Sequence, residues 1–206
     1  MHTTESDDLT RYRTQHKLRL SYMPWLYATL KPRNRVWAEE WQQEWQAYLM
    51  SMETISIGRN CFIAPEAHLF AEPGRAIVIG DNSYIAADCV IHGPITLGNH
   101  VSINHHVSLD GGTKGIKIGH NTRIAAYTSA YAFNHGMAAE YLIKDQAVSS
   151  QGITIGEDVW IGAHSGIVDG VKIGTGAVVG MGSVVTKAVT EYTKVAGNPA
   201  HLIGMR

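Results

Sequence analysis

The sequence predicts an all-β fold, a solenoid of about six triangular coils built from short strands. Aliphatic residues return at every sixth position, a period that fits neither a 3.6-residue helix nor a simple strand alternation. Of the 206 residues, 21 are glycine and only 17% are charged, a composition that suits many tight corners. Three strand-and-corner units close a triangle, and only the stacking of such coils buries their axis. The two longest unbroken runs are Ile79, Ile85, Ile91, Leu97, Ile103, Leu109 and Ile155, Ile161, Ile167, Ile173, Val179, Val185.

A second inward position follows each aliphatic residue by four, and it is usually small. Large residues at one position and small ones at the next let neighbouring faces interdigitate at a corner. Polar pairs such as Asn99-His100 and Glu157-Asp158 stand between the two positions, where a corner needs residues that tolerate turn conformations. The predicted small inward residues are Ser83, Cys89, Val101, Val107, Thr122, Thr128, Val159, Ser165, Val171, Ala177 and Ser183.

The chain divides into a partly helical region at 1–54, the repeat domain at 55–190 and a C-terminal tail at 191–206. Residues 35–50 have helical spacing, with tryptophans at every fourth position and an acidic and amide-rich opposite face. We expect this helix to pack on its own domain or on a neighbouring subunit. The alternative is a helix that docks on a membrane or a partner, but an acidic face argues against anionic lipid. The apolar stripe is Trp37, Trp41, Trp45 and Leu49, and the predicted polar face is Glu39, Glu40, Gln42, Gln43 and Glu44.

Charge and hydropathy exclude several classes of function. The net charge is −1 and no basic run stands out, so nothing favours a nucleic-acid surface. No apolar segment reaches the length of a transmembrane helix, and residues 1–10 do not resemble a secretory signal. Cys61 and Cys89 fall within the repeats, and we interpret them as small core thiols in a reducing compartment. We therefore expect a cytoplasmic protein without membrane contact.

One long interruption of the repeat predicts the functional loop, at about 131–152. The six-residue period stops after Ala130 and resumes in phase at Ile155. A solenoid that leaves its period and returns to it has extruded a loop, and such insertions tend to carry function. The loop presents His135, and neutral imidazole is the side chain best suited to take a proton near neutral pH.

Three segments resemble the hexapeptide-repeat acyltransferases, in the branch of maltose, galactoside and polysaccharide O-acetyltransferases. They are residues 153–163 (ITIGEDVWIGA), 178–187 (VVGMGSVVTK) and 197–200 (GNPA). The resemblance implies a left-handed parallel β-helix, a homotrimer with shared sites, acetyl-CoA as donor and a saccharide hydroxyl as acceptor, without a metal. It also implies that His135 is the general base in direct attack on the thioester, with a backbone amide near Gly162 or Ala163 as oxyanion donor.

The same resemblance implies further binding residues. Asn104 or His105, with Asp110, would hold the acceptor, and the carboxylate that orients His135 stays open between Glu140, Asp145 and Asp110. His201 follows the closing motif where the family often has Arg or Lys, so Arg206 is a substitute candidate for phosphate recognition. The positions implied for coenzyme A are Trp160, Gly162, Ala163, Met181, Gly182, Thr186 and Lys187.

Three alternatives remain open at the level of sequence. One is an acyltransferase that acts on the nitrogen of an amino sugar. Another is a zinc β-helix of the carbonic-anhydrase kind, for which His100 and His105 with His120 or His135 are candidates, although three ligands are not convincingly spaced. The third is a non-catalytic scaffold that docks through the tryptophan helix.

Overall fold

The computed structural model describes residues 5–206, with side chains from residue 9 onward. Three helices come first: α1 (Glu5–Tyr22), α2 (Trp25–Ala28) and α3 (Pro32–Met52). None of the helices in this described part of the chain is long and apolar enough to cross a membrane. The rest of the chain winds into three sheets that form the faces of a prism.

Each face stacks one strand from every coil in parallel and in register, and sheet B is extended by two further strands, the last of which is antiparallel. Sheet A consists of β1 (Ile55–Ile57), β4 (Ile77–Ile79), β7 (Ile95–Leu97), β10 (Ile116–Ile118), β15 (Ile153–Ile155) and β18 (Lys172–Ile173). Sheet B consists of β2 (Phe62–Ile63), β5 (Tyr84–Ile85), β8 (Ser102–Ile103), β11 (Arg123–Ile124), β16 (Trp160–Ile161), β19 (Val178–Val179), β21 (Thr193–Ala196) and β22 (His201–Met205). Sheet C consists of β3 (His68–Phe70), β6 (Val90–His92), β9 (Ser108–Asp110), β12 (Ser129–Tyr131), β17 (Gly166–Ile167) and β20 (Val184–Val185). Six parallel strands in sheets A and C confirm the predicted six coils, and the arrangement fits a left-handed β-helix.

The three edges of the prism differ in chemistry. The AB edge joins sheets A and B, the BC edge joins sheets B and C, and the CA edge joins sheet C to sheet A of the next coil. Positive φ angles recur at the first two edges, at residues that tolerate the left-handed region. Apart from glycines, these are Asn60, Asn82, His100, Asn121, Asp158 and Tyr192 on the AB edge and Asp88, His106, Tyr127 and His164 on the BC edge. The CA edge instead carries the longer connections.

The repeat residues form the core as predicted. Every aliphatic residue of the two unbroken runs is at most 3% exposed, and every small inward residue is buried. Each buried isoleucine contributes about 2 kcal/mol of hydrophobic stabilisation before entropy is counted. The period of six thus converts directly into three continuous rows of inward side chains.

Helix α3 covers the first coil and explains the tryptophan stripe. The helix is longer at both ends than the predicted 35–50, and its tryptophans pack against the core of their own chain. Trp41 meets Phe62 edge to face, with ring centroids 5.8 Å apart. The expectation of packing on its own domain is confirmed by these contacts.

Gln42 lies elsewhere than predicted. We expected it on the polar face, but its side chain is 1% exposed. Its amide donates to the Ile63 carbonyl at 3.1 Å and accepts from the Ile63 amide at 2.9 Å. The reason is that β2 is the first strand of sheet B, so its outer backbone groups need partners that no further coil provides.

The last residues also belong to the folded structure. Strand β21 continues sheet B by pairing in parallel with β19, and β22 folds back against it in antiparallel. The segment predicted as a C-terminal tail therefore contributes two strands. Arg206 donates to the Asp158 carboxylate at 2.8 Å on the AB edge, so its guanidinium is already engaged there.

Candidate active site

The extruded loop leaves the prism at the CA edge. After β12 the chain forms an antiparallel hairpin of β13 (Asn134–His135) and β14 (Val148–Ser149), with a short 3-10 turn at Ile143–Asp145 between them. The chain re-enters the solenoid at β15, which pairs with β10 of the preceding coil without any slip in register. The observed loop therefore matches the predicted interruption.

The tip of the loop is held by one side chain. The Gln146 amide accepts from the Ala138 amide at 2.8 Å and donates to the carbonyls of Ala138 and Tyr141 at 3.0 Å each. The Gly136 amide donates to the Ala147 carbonyl at 3.1 Å. These contacts give the loop a defined shape around the histidine.

His135 is exposed on this hairpin. Its backbone pairs with Val148, and its ring meets Phe133 edge to face with centroids 6.3 Å apart. Phe133 in turn contacts Tyr131, whose hydroxyl is 2.9 Å from the Ser108 hydroxyl. Within residues 9–206 the imidazole nitrogens have no hydrogen-bond partner, so both are available to a ligand.

None of the three candidate carboxylates is in polar contact with His135. Asp145 pairs with Lys144 at 2.6 Å. Asp110 accepts from Arg75 at 3.2 Å and from the Gly112 amide at 2.9 Å, and it lies 3.2 Å from His92. Glu140 is exposed and has no polar contact among the described side chains. None of the three bonds to the imidazole.

Sequence reasoning missed Asp169, which anchors the base of the loop. The residue is 8% exposed, and its carboxylate accepts backbone N–H groups from both Gln151 and Gly152. The Asn134 amide nitrogen lies 3.5 Å from the same carboxylate. Nothing in the six-residue period marks this residue, because it stands at a corner outside the inward rows.

Two of the acceptor candidates lie on a different edge from His135. Asn104 and His105 are on the BC edge, where the Asn104 side chain accepts the His105 amide at 2.9 Å. Burial, and secondarily the nearby His106, lower the pKa of His105. Its ring contacts those of Tyr22 and Tyr127, and its Nδ1 has no partner in the described structure. Asp110, by contrast, lies at the CA edge, so one prism does not bring the acceptor candidates together.

The donor candidates are spread over sheet B and two of the edges. Trp160 projects from sheet B and is 56% exposed between Arg123 and Val178. Lys187 is exposed and follows β20 at the CA edge, as does Thr186. The remaining four, Gly162, Ala163, Met181 and Gly182, lie on the BC edge.

The two candidate oxyanion donors are not equivalent. The Gly162 amide donates to the Val179 carbonyl at 2.8 Å, so it is already used by sheet B. A Cβ at Gly162 would lie 2.5 Å from the Met181 nitrogen, which is why only glycine fits there. The Ala163 amide has no acceptor within residues 5–206. Of the two, only Ala163 offers a free N–H.

The candidate zinc histidines do not converge in this chain. His100 and His120 lie on the AB edge, His105 on the BC edge and His135 in the loop at the CA edge. The His120 Nδ1 accepts the Asn99 amide at 2.8 Å. Across the described part of the chain, no group of three or more His, Cys, Asp or Glu residues is arranged to hold a metal ion.

Known proteins share both the repeat and the fold. A model described as the hexapeptide repeat of succinyl-transferase matches residues 152–187. Galactoside O-acetyltransferase of Escherichia coli K12 is 31% identical over 150 residues, which cover 72% of this chain and 62% of that enzyme. The chain carries the hexapeptide repeat, and it is similar to acetyltransferases over as much as 72% of its length.

Other acyltransferases match a smaller or a larger share of the chain. Chloramphenicol acetyltransferase of Klebsiella aerogenes is 54% identical over 52 residues, which are 25% of each chain. A mutant of AntD, an N-acyltransferase from Bacillus cereus in complex with dTDP and coenzyme A, superposes with a TM-score of 0.70 at 27% identity. That match covers 80% of this chain and 89% of AntD.

The curated relatives extend beyond the shared region. Three of them, from Saccharomyces cerevisiae, Mycobacterium tuberculosis and Escherichia coli, are matched over only 60%, 44% and 63% of their lengths.

Proposed function

We propose that this protein transfers an acetyl group from acetyl-CoA to a sugar hydroxyl, with His135 as the general base. The observation that carries this proposal is the exposed, unpartnered imidazole on a braced hairpin of a hexapeptide-repeat solenoid. The galactoside and chloramphenicol relatives are named for acetyl transfer to hydroxyl-bearing compounds, which supports the same class of reaction here.

The proposed reaction needs one proton carrier and one oxyanion donor. The acceptor O–H gives its proton to the neutral imidazole as its oxygen attacks the thioester carbonyl carbon. The carbonyl oxygen becomes an oxyanion, and the free Ala163 N–H is our candidate to donate to it. The tetrahedral intermediate then collapses, the C–S bond breaks, and the imidazolium returns the proton to the thiolate of coenzyme A.

Direct attack agrees with the state of the two cysteines. Burial raises the pKa of the Cys89 thiol to about 12, and burial also raises the pKa of the Cys61 thiol. A thiol that stays protonated is a poor nucleophile. Neither side chain reaches the surface where the loop lies, so a covalent acyl-cysteine has no support in the structure.

The positions of the candidates favour a site between two copies of the chain. Asn104, His105 and Ala163 lie on the BC edge, whereas His135 and Lys187 lie at the CA edge. Within one prism these groups stand on different edges, but the CA edge of one copy can face the BC edge of the next around a threefold axis. We therefore propose a homotrimer with three shared sites, and a monomer in light scattering at micromolar concentration would contradict it.

The experiment follows release of the coenzyme A thiol from acetyl-CoA with a panel of saccharides. His135→Ala is expected to lower kcat by roughly 100- to 10,000-fold, the range for a positioned general base. His68→Ala, an exposed histidine on strand β3, is the matched control and should leave kcat unchanged. Turnover that survives His135→Ala would refute the catalytic assignment.

A second variant tests the oxyanion donor. Ala163 and Pro65 occupy the same corner position in two coils, since each follows the second residue of a sheet B strand by two. The fold thus already accepts proline at this position, and Ala163→Pro removes the N–H alone. We expect kcat to fall roughly 100- to 1,000-fold with little change in KM. An unchanged kcat would exclude this amide.

AntD supports a second candidate, acyl transfer to the nitrogen of an amino sugar. Other AntD structures hold dTDP-4-amino-4,6-dideoxyglucose with coenzyme A. Including amino sugars and nucleotide-linked amino sugars in the same panel distinguishes the two candidates. Turnover with amines alone would replace the hydroxyl acceptor in our proposal.

A further inference from the structure

Asp169 is the only buried carboxylate among the described side chains, residues 9–206. It follows β17 by two residues and lies at the CA edge, directly below the point where the loop returns to the solenoid. A buried carboxylate is costly unless its oxygens accept hydrogen bonds. Its hydrogen bonds therefore indicate which parts of the chain this residue holds in place.

Those contacts reach both arms of the loop. On the returning arm, Oδ1 accepts the Gln151 amide at 2.9 Å and the Gly152 amide at 2.8 Å, and Oδ2 lies 2.9 Å from the Gln151 nitrogen. On the departing arm, the Asn134 side-chain nitrogen lies 3.5 Å from Oδ2. Asn134 directly precedes His135. One carboxylate thus ties the start of the hairpin to its end.

The coil itself does not need this side chain for its pairing. Two backbone hydrogen bonds join this corner to the preceding coil without the side chain: the Gly170 amide donates to the Gly152 carbonyl at 2.9 Å, and the Thr154 amide donates to the Val171 carbonyl at 3.1 Å. Strand β15 also pairs with β10 and β18 on its two sides. The polar contacts of the Asp169 side chain are all with residues of the loop and its stem.

A second polar side chain, Ser150, anchors the stem at a neighbouring point. The Ser150 hydroxyl donates to the Ala132 carbonyl at 2.5 Å and accepts the Thr113 and Lys114 amides at 3.2 and 3.1 Å. Ser150 fixes the stem against the preceding coil, whereas Asp169 fixes it against the following coil. With Asp169 removed, the arm that carries His135 keeps the Ser150 anchor and its pairing with β14, but it loses its tie to the following coil.

We infer that Asp169 is the positioning residue for His135, which it places through Asn134 and the returning strand of the hairpin. This inference rests on the proposed function, in which His135 is the base. A histidine displaced by about 1 Å from its productive geometry is enough to lower turnover substantially. Binding of acetyl-CoA is less affected, because most donor candidates lie on the BC edge.

The test measures kcat and KM for Asp169→Asn, which keeps the size of the side chain but replaces one acceptor oxygen by an amide group. We expect kcat to fall roughly 10- to 100-fold, while KM for acetyl-CoA changes less than about twofold. Asp81→Asn is the matched control: Asp81 also accepts a backbone amide, from Arg59 at 2.8 Å, but on the AB edge. It should leave kcat unchanged.

The double variant separates positioning from a general structural effect. If Asp169 acts through His135, adding Asp169→Asn to His135→Ala lowers the residual turnover no further. Additive losses, or an Asp169→Asn enzyme with normal kcat, would overturn the inference. Should Asp169→Asn fold poorly, Asn134→Ala cuts the same link from the exposed arm and must lower kcat in the same direction.

Failure of the proposed function gives a different pattern. If His135→Ala itself retains full turnover, the base assignment is wrong, and the role of Asp169 falls with it. If His135→Ala loses turnover but both Asp169→Asn and Asn134→Ala do not, only the positioning inference is refuted.

Discussion

Replacing Gln42 by glutamate should make the stability of the contact between helix α3 and strand β2 strongly dependent on pH. The buried amide of Gln42 gives one donor and one acceptor to the backbone of Ile63. A carboxylate retains the acceptor but loses the donor, and it faces the Ile63 carbonyl with a negative charge. A protonated carboxylic acid, in contrast, restores both bonds. Gln42→Glu should therefore fold well only when its new side chain is neutral.

The expected loss of stability at each pH equals the free-energy cost of protonating the new glutamate side chain. Glutamate ordinarily titrates near pKa 4.3, and each unit between that value and the solution pH costs about 1.36 kcal/mol, which gives about 3.7 kcal/mol at pH 7 and about 1 kcal/mol at pH 5. In this variant the folded-state pKa lies above the unfolded one. The stability is therefore present at low pH and is lost as the pH rises.

The assay is urea unfolding followed by tryptophan fluorescence, which reports on the contact between α3 and β2 because Trp41 packs against Phe62. The difference in unfolding free energy from the wild type is measured at pH 5 and pH 7, so that other titrations cancel. Gln43→Glu, one residue along and exposed, is the control and should differ by less than about 0.5 kcal/mol at both pH values. A Gln42→Glu penalty that is equal at the two pH values would refute the reasoning.

Three further predictions test the core, the BC edge and the loop. Ile161→Asp places a charge at a fully buried position and should cost more than about 4 kcal/mol, seen as loss of cooperative thermal unfolding, whereas Lys172→Asp on the exposed face should not. Since burial lowers the pKa of His105, the unfolded chain binds its proton first, so stability should decline as pH falls below about 6.5. His105→Gln should make that decline shallower in urea unfolding at pH 5 to 7, and an unchanged slope would contradict the assignment. Gln146→Ala should increase amide hydrogen exchange across residues 136–147 without changing exchange in β15, because the lost contacts lie within the loop.

The sequence alone was sufficient to predict the solenoid. Each coil repeats the same requirement, an aliphatic residue inward and a small one beside it, so burial at Ile161 or Ser183 is predictable from its neighbours at six-residue spacing. The positive φ at Asn82 and Asp158 follows likewise from corner chemistry. The loop was predictable as well, because it is the interval in which that requirement is absent.

The sequence did not predict which polar side chains are used. Gln42 fell on the polar face of a helical pattern, yet it is buried because the end strand of sheet B needs a partner. Asp169 had no marker in the repeat, and the free N–H of Ala163 is a property of the backbone that no residue type shows. Each of these roles depends on what lies one coil away.

The sequence by itself determined the prism, its six coils and the place of the loop that carries His135. Only the tertiary structure decided that Asn104 and His105 lie on a different edge from that histidine, and that Asp169 holds the base of its loop. The physical reason is the range of the interactions. Burial along the axis repeats every six residues. The polar contacts of a corner, in contrast, join residues that are about one coil of the solenoid apart, such as Gly152 and Asp169.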